Sequence, residues 1–415
     1  MKILIASPLF TGLSSIILGE KEAVGMPAVY KFQKDLAARG HEVVMVGPPV
    51  MADLYDMIGS DKSVTRNNIK YVLLRPAGSF QRCNYLGTAS RRVSNFSDFM
   101  YYASRIGQVI KQESPDLIYS AFQLGMIGNY YARKRNLPSV LRAYGTFLGS
   151  NVRPGNLFHW SYKWKNITAW MSFKSHYSYL IMTNDGTRGD VAARAFGVPE
   201  HKLKFWINGV KKDTPELSQQ DKTQIRKKLG FKENDKVIIT VSRLEDWKRV
   251  DRVIQASPQV ISRFPEVKFL IVGDGPEMQN LQNQASRLGT KDHIHFAGFI
   301  PHESVSNYIQ AANVFVSVYD VSNLGNPILE AMASGMGIVS INDGSLTGVI
   351  ENGETGILID KNNIEEELPE AIISMIDEDR AHALGEKAKM YIKNCLESWD
   401  QRIAKEINLL ESLVN

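Results

Sequence analysis

Three stretches hold residue types whose spacing suits chemistry. Arg243 and Lys248 stand in SRLEDWK (Ser242–Lys248), directly after an apolar run and at the opening of a helix-length segment. Two cations at the carboxyl end of a strand suit a diphosphate, because arginine offers a planar fork and lysine a compact point charge. Two solvated surface charges would look the same. VGDGPE (Val272–Glu277) sets glycines between a strand and a helix, where they permit either a tight turn or the close approach of a ligand. It lacks the dinucleotide fingerprint GxGxxG and is no Walker A loop. SNLGNPILEAMASG (Ser322–Gly335) places Asn323, Leu324 and Gly325 before a helix with Pro327 in its first turn. The amides of such a helix start attract a phosphate. Glu330, one turn further in, can accept both hydroxyls of a ribose, or can be an ordinary exposed glutamate on an amphipathic helix.

The elements that must position these residues read as parallel α/β units, short apolar runs alternating with amphipathic stretches of helical length. In the first half, Lys2–Ser7, His41–Gly47, Pro115–Phe122, Pro138–Gly145 and Leu180–Asp185 read as strands, and Tyr30–Arg39 as a helix closed by Gly40. The pattern restarts with Lys236–Ser242, Val267–Gly273, His293–Gly298, Asn313–Tyr319 and Gly337–Asn342. The polar stretch Ile207–Asp235 opens with the turn pair Asn208-Gly209, and the boundary is placed there. The expectation is two doubly wound Rossmann-like domains, 1–207 and 208–397, with a last helix over 398–415. In such sheets ligands sit outside the carboxyl ends of the strands, so facing domains would make an inter-domain cleft.

The 415 residues carry a net charge of +5, with an asymmetry inside it. Residues 1–207 hold 26 Lys and Arg against 13 Asp and Glu; residues 208–415 hold 23 against 31. A basic half and an acidic half arise by compositional drift, or because the basic half meets an anionic surface such as a membrane or a phosphate-bearing acceptor. Nucleic acid is not expected, since no helix-turn-helix, zinc-finger or RNA-binding motif is present. Arg133, Lys134 and Arg135 form the densest basic cluster. Trp160, Trp164, Ile167 and Met171 share a helical face near Trp170, with Lys163 and Lys165 pointing elsewhere. Such a stripe is core, or docks at a membrane interface. No apolar run reaches the length of a membrane span, and MKILIASPLF is too short for a signal peptide. Cys83 and Cys395 make neither a disulfide framework nor a zinc site, and the histidines show no metal spacing. A cytoplasmic protein without a metal or cofactor is expected.

Taken together, the second half resembles the family-4 glycosyltransferases of the GT-B fold. The resemblance is carried by Arg243-Leu244 with Lys248, by Gly273 to Pro276, by Gly298-Phe299 and by Gly325 to Gly335. The first half is similar more loosely, through its apolar first strand, Gly40 to Val43 and Asn208-Gly209-Val210; Ser398-Trp399 resembles the opening of a helix that crosses back to the first domain. The resemblance implies a retaining transferase that moves a sugar from a nucleoside-diphosphate donor to a glycan, glycolipid or small-molecule acceptor. It implies that Arg243 and Lys248 hold the diphosphate, Glu330 the ribose, and the amides of Leu324 and Gly325 the distal phosphate. Phe299 and Ile300 would line the base, and Gly12 and Gly25 would close over the phosphates. Two positions depart from the family. Ser322 stands where a glutamate contacts the donor sugar, with Asp320 or Asn323 as substitutes. Tyr144-Gly145 stands where a His-Gly pair is common. Tyrosine is a poor proton carrier at neutral pH, which assigns Tyr144 to positioning the sugar. Those departures also leave room for a non-catalytic subunit that binds a nucleotide sugar or a partner protein. A sugar phosphorylase or nucleotide-sugar epimerase of the same fold is the other rival.

Overall fold

A computed structural model describes residues 1–19, 27–49, 52–57, 62–75, 88–145, 148 and 166–414. The chain divides into two compact units: Met1–Thr183 with Gly189–Trp206 and Asp400–Asn415, and Asn184–Arg188 with Ile207–Trp399. The short segment Asn184–Arg188 thus belongs with the second unit, although the sequence division assigns it to the first.

The first unit is built on eight strands, β1 (Lys2–Ala6), β2 (Glu42–Gly47), β3 (Ser63–Arg66), β4 (Ile69–Leu73), β5 (Leu117–Ala121), β6 (Ser139–Ala143), β7 (Tyr179–Asn184) and β8 (Leu203–Ile207). Their order is β3-β4-β2-β1-β5-β6-β7-β8. β1 pairs in parallel with β2 and β5, Ile3 lying opposite Val43 and Leu117. The edge pair β3–β4 is antiparallel. Its turn is Asn67-Asn68, both with positive φ (52° and 62°), the backbone twist that a two-residue hairpin needs.

The second unit holds β9 (Lys236–Val241), β10 (Val267–Val272), β11 (Ile294–Gly298), β12 (Val314–Ser317), β13 (Gly337–Asn342) and β14 (Ile357–Asp360), ordered β11-β10-β9-β12-β13-β14 and parallel throughout. A parallel sheet is covered on both faces, which is why its strands are nearly continuous apolar runs. β9 shows the alternation. Ile238 joins one core with Val253, Phe269 and Leu368, while Val237 and Ile239 join the other with Leu270, Phe315 and Ile328. The strand order reverses between β9 and β12, and in doubly wound sheets a crevice opens at such a reversal. The turns after β9 and β12 carry two of the three motifs singled out in the sequence.

The helix Trp399–Glu411, from Asp400 onward, packs on the first unit. Its Glu406 is buried against Arg142 of β6 (3.2 Å), Arg402 (2.8 Å) and the Tyr119 hydroxyl of β5. Burial works against ionisation of Glu406, yet the two guanidinium groups hold its carboxyl below the usual range. His41 and Arg39 reach the outer turns of the same helix at Glu411 and Asn408.

Candidate functional site

β9 runs out at Ser242, and the next three residues make the turn that carries Arg243. The turn is held by its neighbour, the loop after β10. Leu244 donates its amide to the Asp274 carbonyl (2.9 Å) and its own carbonyl accepts from Glu277 (3.0 Å). A Cβ on Gly273 would sit 1.7 Å from the Ser242 carbonyl oxygen, and one on Gly275 would sit 2.4 Å from that of Leu244. Of the two readings of VGDGPE, the turn accounts for both glycines, since they let the two loops touch backbone to backbone. Arg243 stands out from this platform, largely exposed and 3.6 Å from Glu245.

Lys248 ends a short 3₁₀ turn, Asp246–Lys248, and is partly buried. Its ammonium lies 3.9 Å from the centre of the Tyr319 ring and 4.2 Å from that of Trp247. Burial pushes its pKa down to about 7; the Arg243 charge adds to this and Asp185 opposes it. Desolvated beside a second cation, this lysine gains most when an anion arrives.

The turn after β12 engages several of the expected site residues within the protein. Asp320 is tied to Arg252 (2.6 Å) and Arg249 (3.3 Å) in an ion-pair cluster, with its side chain partly exposed. Asn323 is fully buried and clamps the turn: its side chain accepts from the Tyr319 amide and donates to the Tyr319 carbonyl and to Asp343. The Leu324 amide, expected to face a phosphate, donates to the Asp185 carbonyl at 3.2 Å. Gly325 caps the helix Asn326–Ala333 with extended backbone, and Pro327 occupies its first turn. Ser322 adopts a left-handed conformation (φ 63°), and its hydroxyl donates to Asp185 Oδ2 at 3.3 Å.

One turn into that helix, the Glu330 side chain is 16% exposed, with an oxygen 3.7 Å from His302 Nδ1. Burial pushes its pKa up to about 7, against the pull of Lys211. Phe299, after Gly298 at the end of β11, is 65% exposed, unusual for so large an apolar ring, while Ile300 packs on the core. An exposed ring, a buried carboxylate, a helix start and two cations thus share the carboxyl ends of β9, β11 and β12.

In the first unit, Tyr144 follows β6. Its ring lies over the Arg142 guanidinium (4.2 Å) and edge-on to Phe10 (6.4 Å). Burial raises its hydroxyl above the ordinary phenol value, with Arg142 opposing, and this suits a hydrogen-bond donor better than a base. Gly12 lies in the first turn of the helix Thr11–Leu18, after β1. Gly25 is outside the described residues, as are Cys83, Trp160, Lys163, Trp164 and Lys165. Trp170 packs against the core beside Phe173 and Leu180, while Met171 is exposed. Among the described residues no helix is long and apolar enough to cross a membrane, and no group of three or more His, Cys, Asp or Glu could hold a metal ion.

Residues 221–394, most of the second unit, match the glycosyl transferases group 1 family. This stretch is similar to the group 1 glycosyl transferases, and the match covers less than half of the chain. It is 26% identical over 293 residues to the alpha-monoglucosyldiacylglycerol synthase of Streptococcus pneumoniae, covering 68% of this chain and 65% of that one. It is 28% identical over 225 residues to a GDP-mannose-dependent alpha-(1-6)-phosphatidylinositol monomannoside mannosyltransferase of Mycobacterium tuberculosis, covering 52% and 58%. The chain therefore spans less than two thirds of either relative. Among solved structures, HepE of Anabaena in complex with UDP-glucose superposes with a TM-score of 0.70 at 19% identity, over 98% of this chain and 99% of that one. The fold is GT-B, and the Streptococcus and Mycobacterium relatives are named as a synthase and a mannosyltransferase.

Sequence reasoning missed Asp185, the aromatic pair around Lys248, and His302 beside Glu330. Asp185 carried a signal, since it follows an apolar strand as an acidic residue at the carboxyl edge. Nothing local links it to Ser322.

Proposed function

We propose that this chain transfers a sugar, with retention of anomeric configuration and without a metal ion, from a nucleoside-diphosphate donor to a glycolipid or glycan acceptor. The observation that carries this reading is the desolvated Lys248 beside exposed Arg243 at the strand-order reversal, next to the start of the helix Asn326–Ala333. In this reading the two cations neutralise the departing diphosphate. As charge builds on the leaving oxygen, Lys248 is fixed where the charge appears, so little reorganisation is needed. The bond from the anomeric carbon to the phosphate oxygen breaks, the bond to the acceptor oxygen forms on the same face, and the acceptor's proton passes to the departing phosphate. Glu330 binds the ribose, Phe299 offers a face to the base and Tyr144 donates to the sugar.

The lipid substrates named in two relatives motivate a glycolipid acceptor, and the basic first half suits an anionic membrane surface at the cytoplasmic face. The test is thermal shift and product analysis with UDP-, GDP- and ADP-sugars, with and without lipid acceptors. One donor should raise the melting temperature and yield an α-linked product in EDTA. A product of inverted configuration, or a need for inorganic phosphate, would refute the reading.

A further inference from the structure

The loop Asn184–Arg188 brings to the second unit a carboxylate that the mechanism above leaves unused. Its position is built rather than incidental. The Asp185 carbonyl accepts the Leu324 amide, and Gly186 has φ +86°. A Cβ on Gly186 would lie 2.8 Å from the Leu324 nitrogen and 3.0 Å from that of Asn323, so the loop lies flat on the turn that precedes the helix Asn326–Ala333. Asp185 Oδ1 is engaged by the Thr187 amide (3.1 Å) and hydroxyl (2.7 Å). Oδ2 receives the Ser322 hydroxyl at 3.3 Å, a long bond that leaves room for a shorter one. Asp185 as a residue is half-buried.

We propose that Asp185 is a specificity-determining residue, whose Oδ2 accepts a hydrogen bond from a hydroxyl of the transferred sugar. The argument is one of charge sorting. Ser322, bonded to Asp185, lies three residues past Tyr319, whose ring centre is 3.9 Å from the Lys248 ammonium, so carboxylate and cation border one turn. Phosphate oxygens are attracted by the two cations and repelled by the carboxylate. A neutral polyol meets no such repulsion, and its hydroxyls are donors for an acceptor-only group. The site therefore orients a donor by its two chemical ends, diphosphate toward Arg243 and Lys248, sugar toward Asp185. Ser322, held in its left-handed conformation, steadies Oδ2 through its long hydrogen bond.

The inference rests on the donor-binding reading, and calorimetry separates the two. Wild type and Asp185→Asn are titrated with UDP and UDP-glucose, and with GDP and GDP-mannose. The Asn variant should keep its affinity for the nucleoside diphosphate within about twofold. Its affinity for the matching nucleotide sugar should fall by about tenfold to a hundredfold, the loss of a hydrogen bond to a charged group. Equal affinities in both proteins would overturn the inference. So would a parallel loss of diphosphate and nucleotide sugar, which would place Asp185 on the phosphates or on a bridging cation. A wild type that binds none of the four would instead remove the donor-binding reading, and the inference with it. Because Asp185→Asn weakens the Thr187 bonds and with them the loop, Asp185→Glu is measured alongside. It keeps the charge and moves it outward, and should change the preference among donor sugars; an unchanged preference overturns the inference.

Discussion

At the scale of single residues, the decisive property is the ionisation of Lys248 and Glu330. Removing Arg243 or Lys248 by alanine should each cost about 1.5–3 kcal/mol of transition-state binding, roughly tenfold to a hundredfold in kcat/KM, with the circular dichroism unchanged. Full activity in the double variant would end the diphosphate assignment. The pH dependence follows from two groups poised near neutrality. Burial holds Lys248 at about 7 in the free protein, and a bound diphosphate favours its charged form, so affinity should fall as pH rises above about 7. Burial holds Glu330 at about 7 as well, and the ionised carboxylate is the better acceptor of two ribose hydroxyls, so affinity should fall as pH drops below about 7. Titrating nucleoside diphosphate across pH 6 to about 9 should give a bell. Lys248→Met should erase its alkaline limb and Glu330→Gln its acidic limb. A limb that survives its substitution belongs to another group.

At the scale of elements, the site depends on loops that brace one another. Gly273→Ala would press a methyl group onto the Ser242 carbonyl, at a positive φ (136°) that side chains rarely adopt. A strain of about 1–3 kcal/mol should lower the melting temperature and shift the Arg243 turn, so nucleoside-diphosphate affinity should fall with it. An Ala variant with normal stability and affinity would show that the turn yields freely. The strands that carry the motifs were legible because each is a continuous apolar run ending in polar residues, as in Lys236–Val241. The short strands Leu203–Ile207 and Ile357–Asp360 were not, because neither is apolar throughout. Asn67-Asn68 carried a hairpin signal that escaped notice beside two lysines and an arginine. At the site, type and position in the motif were legible for Arg243, Lys248 and Glu330. The fate of hydrogen-bonding groups was not. That Asn323 faces inward, Asp320 meets two arginines and the Leu324 amide meets Asp185 depends on partners whose positions only the fold determines.

At the scale of the whole molecule, the chain's last helix completes its first unit. Glu406→Ala would leave Arg142 buried without its carboxylate partner and take one from Arg402, a loss of about 3–5 kcal/mol. Two-phase unfolding should result, the first unit melting earlier while nucleoside-diphosphate protection of the second persists. A single unshifted transition would show that the pair contributes little. The charge asymmetry gives a further prediction. Arg133 and Lys134 are exposed at the end of the helix Gly125–Lys134, where they also complement its dipole. If the basic half docks on membranes, the protein should sediment with anionic vesicles at low salt and leave them as salt rises, at about 1 kcal/mol per basic residue. Protein that stays in the supernatant with anionic vesicles at low salt would mean that the asymmetry is compositional. The helix from Asp400 also sets an order of events during synthesis. A ribosome releases the eight strands of the first sheet long before residues 400–414 emerge, so that sheet waits, with Arg142 lacking its carboxylate partner, through the making of the entire second unit. The nascent first unit is thus an unfinished fold while the whole second unit is made, open to chaperones until its closing helix arrives.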